Sequence, residues 1–134
     1  LQAIGHEVCR RGGDALFIKT QKLLEDLLNP SYPRRASRLW KQIKNVDLLI
    51  LDDSGFRKYE QNEAESLYSL ADVRMNIAST VIISNRPPPD WYGVFPDPVI
   101  GGAILDRIVS GAIKIIVEKA ESYRKLSSYE FPSE

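Results

Sequence analysis

The segment Leu48-Leu-Ile-Leu-Asp-Asp-Ser-Gly55 constrains the fold more than any other part of the chain. Val46 to Leu51 is an apolar run interrupted only by Asp47, and it stops abruptly at Asp52-Asp53. A run this short, without alternation, reads as a strand buried on both faces, which is the pattern of a parallel sheet covered by helices. The acid pair then marks the carboxyl end of that strand, where ligands bind in open α/β sheets.

The rest of the chain supplies the expected helices and further strands. Leu1, Ile4 and Val8 recur at helical spacing, and Gly12-Gly13 ends that segment. No capping residue precedes Leu1, so the helix has an end without a beginning and a longer parent chain is expected. Asp14 to Ile18 reads as a strand. Thr20 is placed to cap a helix running to Leu28, and Asn29-Pro-Ser-Tyr-Pro33 breaks the pattern. Residues 34–44 form an amphipathic helix, with Ala36, Leu39, Trp40 and Ile43 on one side and Arg34, Arg38, Lys41 and Lys44 on the other. Helix is expected from about Glu60 to Met75, strand over Ser79–Ser84, a proline- and aromatic-rich loop over Arg86–Pro98, helix over Val99–Val109 and a last strand over Ile113–Val117. This alternation defines an α/β fold with a mainly parallel sheet. Residues 1–126 read as one domain and 127–134 as a polar tail.

Composition narrows the functional classes. With 134 residues the chain can bury a single core. Its formal net charge is zero, so any nucleic-acid contact must come from a local patch. The lone Cys9 cannot form an internal disulfide, which fits a reducing cytoplasm. No apolar run approaches the ~18 residues of a membrane span, and no signal peptide is visible. His6 and Cys9 are spaced to share a helix face, but two ligands are too few for a metal centre.

Two strands finish in polar groups that can do chemistry. Asp52 can hold a magnesium ion, a hard cation that takes oxygen ligands. Asp53 can orient or deprotonate an attacking water. Asn85, at the end of the next strand, can hydrogen-bond that water or a terminal phosphate. Each has a plainer alternative: Asp-Asp-Ser-Gly is good turn chemistry, and Asn85 can simply open the Asn-Arg-Pro-Pro turn. Consecutive strands often pair, which would set the two polar ends side by side.

At this point a family resemblance becomes specific. LLILDDSGF, then STVIISNRPPPDWYGVFPDPVIGGAILDRI, then ESYRK resemble the IstB-type transposition helpers and their DnaC-like helicase-loader relatives, which are AAA+ ATPases. The likeness spans nearly everything from Leu1 to about Lys125. It implies a parallel-sheet AAA+ or P-loop NTPase-like core, with ATP and magnesium as cofactors. Asp52 and Asp53 fall on the Walker B pair, and Asn85 on the sensor of the terminal phosphate. Arg107 of the LDR run falls on an arginine resembling a finger into a neighbouring subunit's site, and Arg124 falls near a second, nucleotide-contacting sensor. The implied partners are DNA, a transposase or a replicative helicase, and further copies of the same chain.

Two departures stand out. Many AAA+ proteins carry Glu where this chain has Asp53. More important, no G-x-x-x-x-G-K-[ST] is present, and these residues alone are therefore expected not to hold ATP. The nearest imitation, Gly13 to Thr20, has Ile18 at the second glycine and an apolar interior that reads as a strand. By the resemblance, the P-loop and its strand would come just before the first helix.

Smaller features divide between function and structure. The Arg34, Arg38, Lys41, Lys44 face can meet DNA phosphates or simply be solvated. Arg107 can equally pair with a surface carboxylate. Trp91, Tyr92 and Phe95 can stack bases, but anchoring the long loop to the core is the expected role. A helicase loader and a non-catalytic interaction domain remain the competing readings of the whole. A receiver domain is set aside, because its acid pair would end the first strand.

Overall fold

The structure, a computed structural model, describes residues 2–75 and 77–109. The last expected strand, Arg124, the 1–126 domain limit and the polar tail lie outside the described residues. Three strands form a parallel sheet in the spatial order β1 (Ala15–Lys19), β2 (Leu48–Asp52), β3 (Ser79–Ile82). Leu16 lies opposite Leu49, and Leu49 opposite Thr80. Helix α1 (Gln2–Arg10) precedes β1, α2 (Thr20–Leu28) and α3 (Pro33–Asn45) connect β1 to β2, α4 (Gln61–Arg74) connects β2 to β3, and α5 (Pro98–Val109) follows.

Strand β2 is the centre of the described sheet, and Leu48, Leu49, Ile50 and Leu51 are all buried. That accounts for the unbroken apolar run. The strand begins two residues later than its sequence suggests because the Val46 N–H still bonds the Gln42 carbonyl of α3. The one polar interruption, Asp47, joins two strand starts: its carboxylate accepts the Asp14 N–H at 3.0 Å, and the Asp14 carboxylate accepts the Asp47 N–H at 2.9 Å. These bonds hold the Asp14 carboxyl below its ordinary range.

Leu49 and Leu51 meet Leu23, Ile43, Val46 and Leu70 in one core cluster. A second cluster joins Leu24 to Tyr59, Ala64, Trp91, Val94, Phe95, Ile104 and Leu105. Adjacent leucines of α2 thus serve different clusters.

The expected loop over Arg86–Pro98 is more ordered than its prolines indicate. Pro88–Val94 forms a 3-10 helix, which sinks Trp91 and Phe95 into the core and leaves Tyr92 exposed. The Trp91 indole N–H donates to the Arg86 carbonyl at 2.9 Å. The FPDP run is a helix start: the Asp97 carboxylate accepts the Val99 N–H at 2.8 Å, and Pro98 opens α5, where a missing N–H costs nothing. Gly101 is tolerated in α5 because a Cβ there would sit 3.1 Å from the Phe95 side chain.

Arg74, in the last turn of α4, is 2% exposed. Its guanidinium donates to the carbonyls of Ile43, Val46 and Ser79 and to the Thr80 hydroxyl, at 2.6–2.8 Å. Burial pulls its pKa down, while Asp14 and Asp47 act at longer range to keep the charge. The side chain ties the end of α3 to the start of β3. Among the described residues, no helix is long and apolar enough to cross a membrane.

Candidate functional site

The ends of β2 and β3 do lie side by side. The Ile83 N–H donates to the Leu51 carbonyl and the Ser54 N–H donates to the Ile83 carbonyl, both at 2.9 Å. The acid pair leaves β2 next to the segment that carries Ser84 and Asn85. Asp52 is half-buried, while Asp53 and Asn85 are exposed.

The turn after β2 has an unusual backbone. Asp53 adopts a φ of 52°, the left-handed region that L-residues other than Asn and Asp seldom visit. The Asp52 carboxylate accepts the Asp53 N–H at 2.9 Å and supports that conformation. The Asp53 carboxylate points to solvent, 3.8 Å from the Lys19 ammonium at the end of β1. Both side chains are well exposed, so this pair adds little stability.

Gly55 closes the turn at φ 74°, and a Cβ there would lie 3.3 Å from the Trp91 ring. Gly55→Ala therefore combines a left-handed alanine with a tight contact. Loss of about 1–2 kcal/mol of stability is expected from the backbone alone. Chemical denaturation of the purified variant checks this, and an unchanged midpoint would contradict the described turn.

Residues that sequence reasoning did not assign to the site hold this turn. Thr20, expected as a helix cap, is instead the first residue of α2, with no cap hydrogen bond at that helix end. Its buried hydroxyl donates to the Asp52 carbonyl at 2.9 Å and lies 2.5 Å from the Ser54 hydroxyl. The Gly55 N–H donates to the Tyr59 hydroxyl at 2.7 Å, and burial pushes the Tyr59 pKa up. Just beyond, Arg57 donates through both terminal nitrogens to Glu63 and also to Gln21. The Arg57 guanidinium holds the Glu63 carboxyl low.

The other predicted residues lie on separate surfaces. Arg107 donates to the Asp72 carboxylate at 3.1 Å and to the Ala103 carbonyl at 3.2 Å, and it lies 4.6 Å from the Tyr68 ring centroid. All these partners belong to α4 and α5. Arg34, Arg38, Lys41 and Lys44 are exposed along α3, which contains no acidic residue. His6 and Cys9 are exposed on α1, and among the described residues no group of three metal-ligating side chains occurs. The P-loop imitation is excluded, since Ala15–Lys19 is strand β1.

A central parallel strand that releases two carboxylates beside the polar end of its neighbour, under flanking helices, is an open α/β architecture with its polar groups gathered at the carboxyl ends of the strands. Solved structures agree on the fold: DnaI superposes with a TM-score of 0.69 at 21% identity, covering 79% of this chain and 58% of that one. The DnaC helicase loader superposes with a TM-score of 0.64 at 20% identity, covering 77% and 60%. The chain belongs to the family of IstB-like ATP binding proteins, whose match covers residues 1–130. A putative ATP-binding protein in an insertion sequence of Mycobacterium tuberculosis is 37% identical over 124 residues, which are 92% of this chain and 49% of that protein. The chain spans about half the length of the curated relatives it matches.

Proposed function

We propose that this chain contributes the water-activating part of an ATPase of the IstB type, which assembles on DNA with ATP and activates a transposase. The observation that carries this reading is the acid pair, Asp52 and Asp53, held at the end of the central strand of the described sheet, next to the segment that leads to Asn85. Membership of the IstB-like family and the insertion-sequence relative support it. In such a helper, working in the cytoplasm, Asp53 takes a proton from a water whose oxygen forms a bond to the γ-phosphorus. The bond from that phosphorus to the bridging oxygen breaks, and ADP leaves with the electron pair. Asn85 hydrogen-bonds the water or the terminal phosphate.

The donor set also fits magnesium. That ion is held by one or two carboxylates and takes its other ligands from phosphate and water. Asp52 supplies a half-buried carboxylate, one oxygen of which is steered by the Asp53 N–H. The ion, when bound, would neutralise phosphate charge.

Arg107 serves as the finger into a neighbouring copy's site only after leaving Asp72, an exposed partner that holds it weakly. Arg124 is proposed near the nucleotide as a second sensor. The acid-free basic face of α3 is proposed to meet DNA phosphates. A helicase-loader role would share the ATP chemistry, but the DnaC and DnaI likenesses support the fold alone, and the insertion-sequence relative favours the transposition reading.

These 134 residues contain no G-x-x-x-x-G-K-[ST] sequence. Calorimetry with magnesium and ATP should therefore detect no micromolar binding to them alone. A form extended N-terminally by a G-x-x-x-x-G-K-[ST] segment should bind ATP and hydrolyse it faster with DNA. Micromolar affinity in the 134-residue chain, or an extended form that binds no ATP, would contradict the reading.

A further inference from the structure

We propose that Tyr59 and Thr20 are positioning residues for the acid pair, each using a buried hydroxyl to fix one end of the turn that carries Asp53. The inference rests on the ATPase reading above. Asp53 itself is exposed and, among the described residues, its side chain pairs only with Lys19, so its position is set by the backbone on either side. Three groups anchor that backbone. The Asp52 carbonyl accepts from Thr20, the Ser54 N–H donates to the Ile83 carbonyl, and the Gly55 N–H donates to the Tyr59 hydroxyl.

The middle anchor continues the β2–β3 pairing. The outer two come from side chains on different segments, and neither is demanded by the fold. Thr20 is 1% exposed and Tyr59 4%. Water cannot readily replace either hydroxyl, and without them the turn must shift to satisfy its own polar groups. Tyr59 is also built into the segment that follows Asn85: its N–H donates to the Val94 carbonyl at 2.7 Å, and its ring lies 5.8 Å from that of Phe95. One residue thus links the acid-pair turn, through its side chain, to the 3-10 helix, through its backbone N–H, and Trp91 fastens that helix back to Arg86.

A displacement of about 1 Å at a reacting group can cost a factor of roughly 10² in rate. In the N-terminally extended protein, Tyr59→Phe keeps the ring and removes the acceptor. It should lower kcat for ATP hydrolysis about tenfold with KM for ATP unchanged, because Tyr59 anchors the turn at Gly55, beyond the water-activating Asp53 and away from the Asp52 carboxylate that would hold magnesium. Thr20→Val should lower kcat to a similar extent, and Thr20→Ser, which keeps the hydroxyl, should restore kcat to within about twofold of wild type. Assays run well below each variant's melting temperature, with Asp53→Asn alongside. If Asp53→Asn is inactive while Tyr59→Phe and Thr20→Val keep their kcat, the positioning role is wrong and the ATPase reading stands. If Thr20→Ser is no better than Thr20→Val, or if Tyr59→Phe raises KM and leaves kcat unchanged, the positioning role is wrong. If Asp53→Asn hydrolyses ATP like wild type, the ATPase reading fails and takes this inference with it.

Discussion

Arg74→Leu is expected to lower the unfolding free energy by about 4 kcal/mol, a large share of the 5–15 kcal/mol typical of a domain. The leucine fills part of the space but donates nothing. Carbonyls of Ile43, Val46 and Ser79 then lose a charged donor in the protein interior. A hydrogen bond to a charged group contributes roughly 1.5–3 kcal/mol, and a buried acceptor left unmet costs about 1–3 kcal/mol. Bonds sharing one guanidinium do not add fully, which keeps the sum near the stated value. Arg74→Lys should recover only part, because a single ammonium cannot span acceptors on α3 and β3 together. Urea denaturation followed by circular dichroism measures both. A loss below about 1 kcal/mol for Arg74→Leu would mean the α3–β3 tie does not matter to stability.

The sequence made the centre of the fold readable and its supports much less so. Leu48 to Leu51 are buried on both faces, so burial left a direct trace in the apolar run. β1 was readable although it lies at an edge of the described sheet, where its Phe17 is 45% exposed. Asp52, Asp53 and Asn85 were singled out because each stands at the end of an apolar run, and the pairing of β2 with β3 brings those strand ends together. The family resemblance was borne out by the match over residues 1–130.

Other features depend on contacts between distant segments, which no local pattern records. Arg74 looks like a cation in the last turn of a helix, a common complement to the helix dipole, yet it is buried with four bonds. Thr20 looks like a cap because it opens a helical stretch, but its hydroxyl faces β2. Tyr59 gives no sign in sequence that it accepts from Gly55. The 3-10 helix was hidden by prolines that usually break structure and here open it at Pro88. Asp53's left-handed backbone also had no sequence marker beyond the tolerance of aspartate for that region.

The same backbone makes Asp53→Asn the cleanest test of the acid pair. Asparagine accepts left-handed φ as readily as aspartate, so the turn should keep its shape. The bond from the residue 53 N–H to the Asp52 carboxylate involves no atom of the replaced side chain. The Lys19 contact is lost, but it is long and exposed. What disappears is a group able to take a proton from water, a loss that typically lowers rate by a factor of about 10²–10⁴. Alanine would be a poorer choice, because it adds backbone strain to the missing carboxylate.

The direct measurement is ATP hydrolysis and ATP binding, with magnesium and DNA present, in the N-terminally extended protein and its Asp53→Asn form. Turnover should fall by a factor on the order of 10³ while the Kd for ATP stays within about twofold. Equal turnover in the two proteins would contradict the assignment of the acid pair at the end of β2 as the water-activating site.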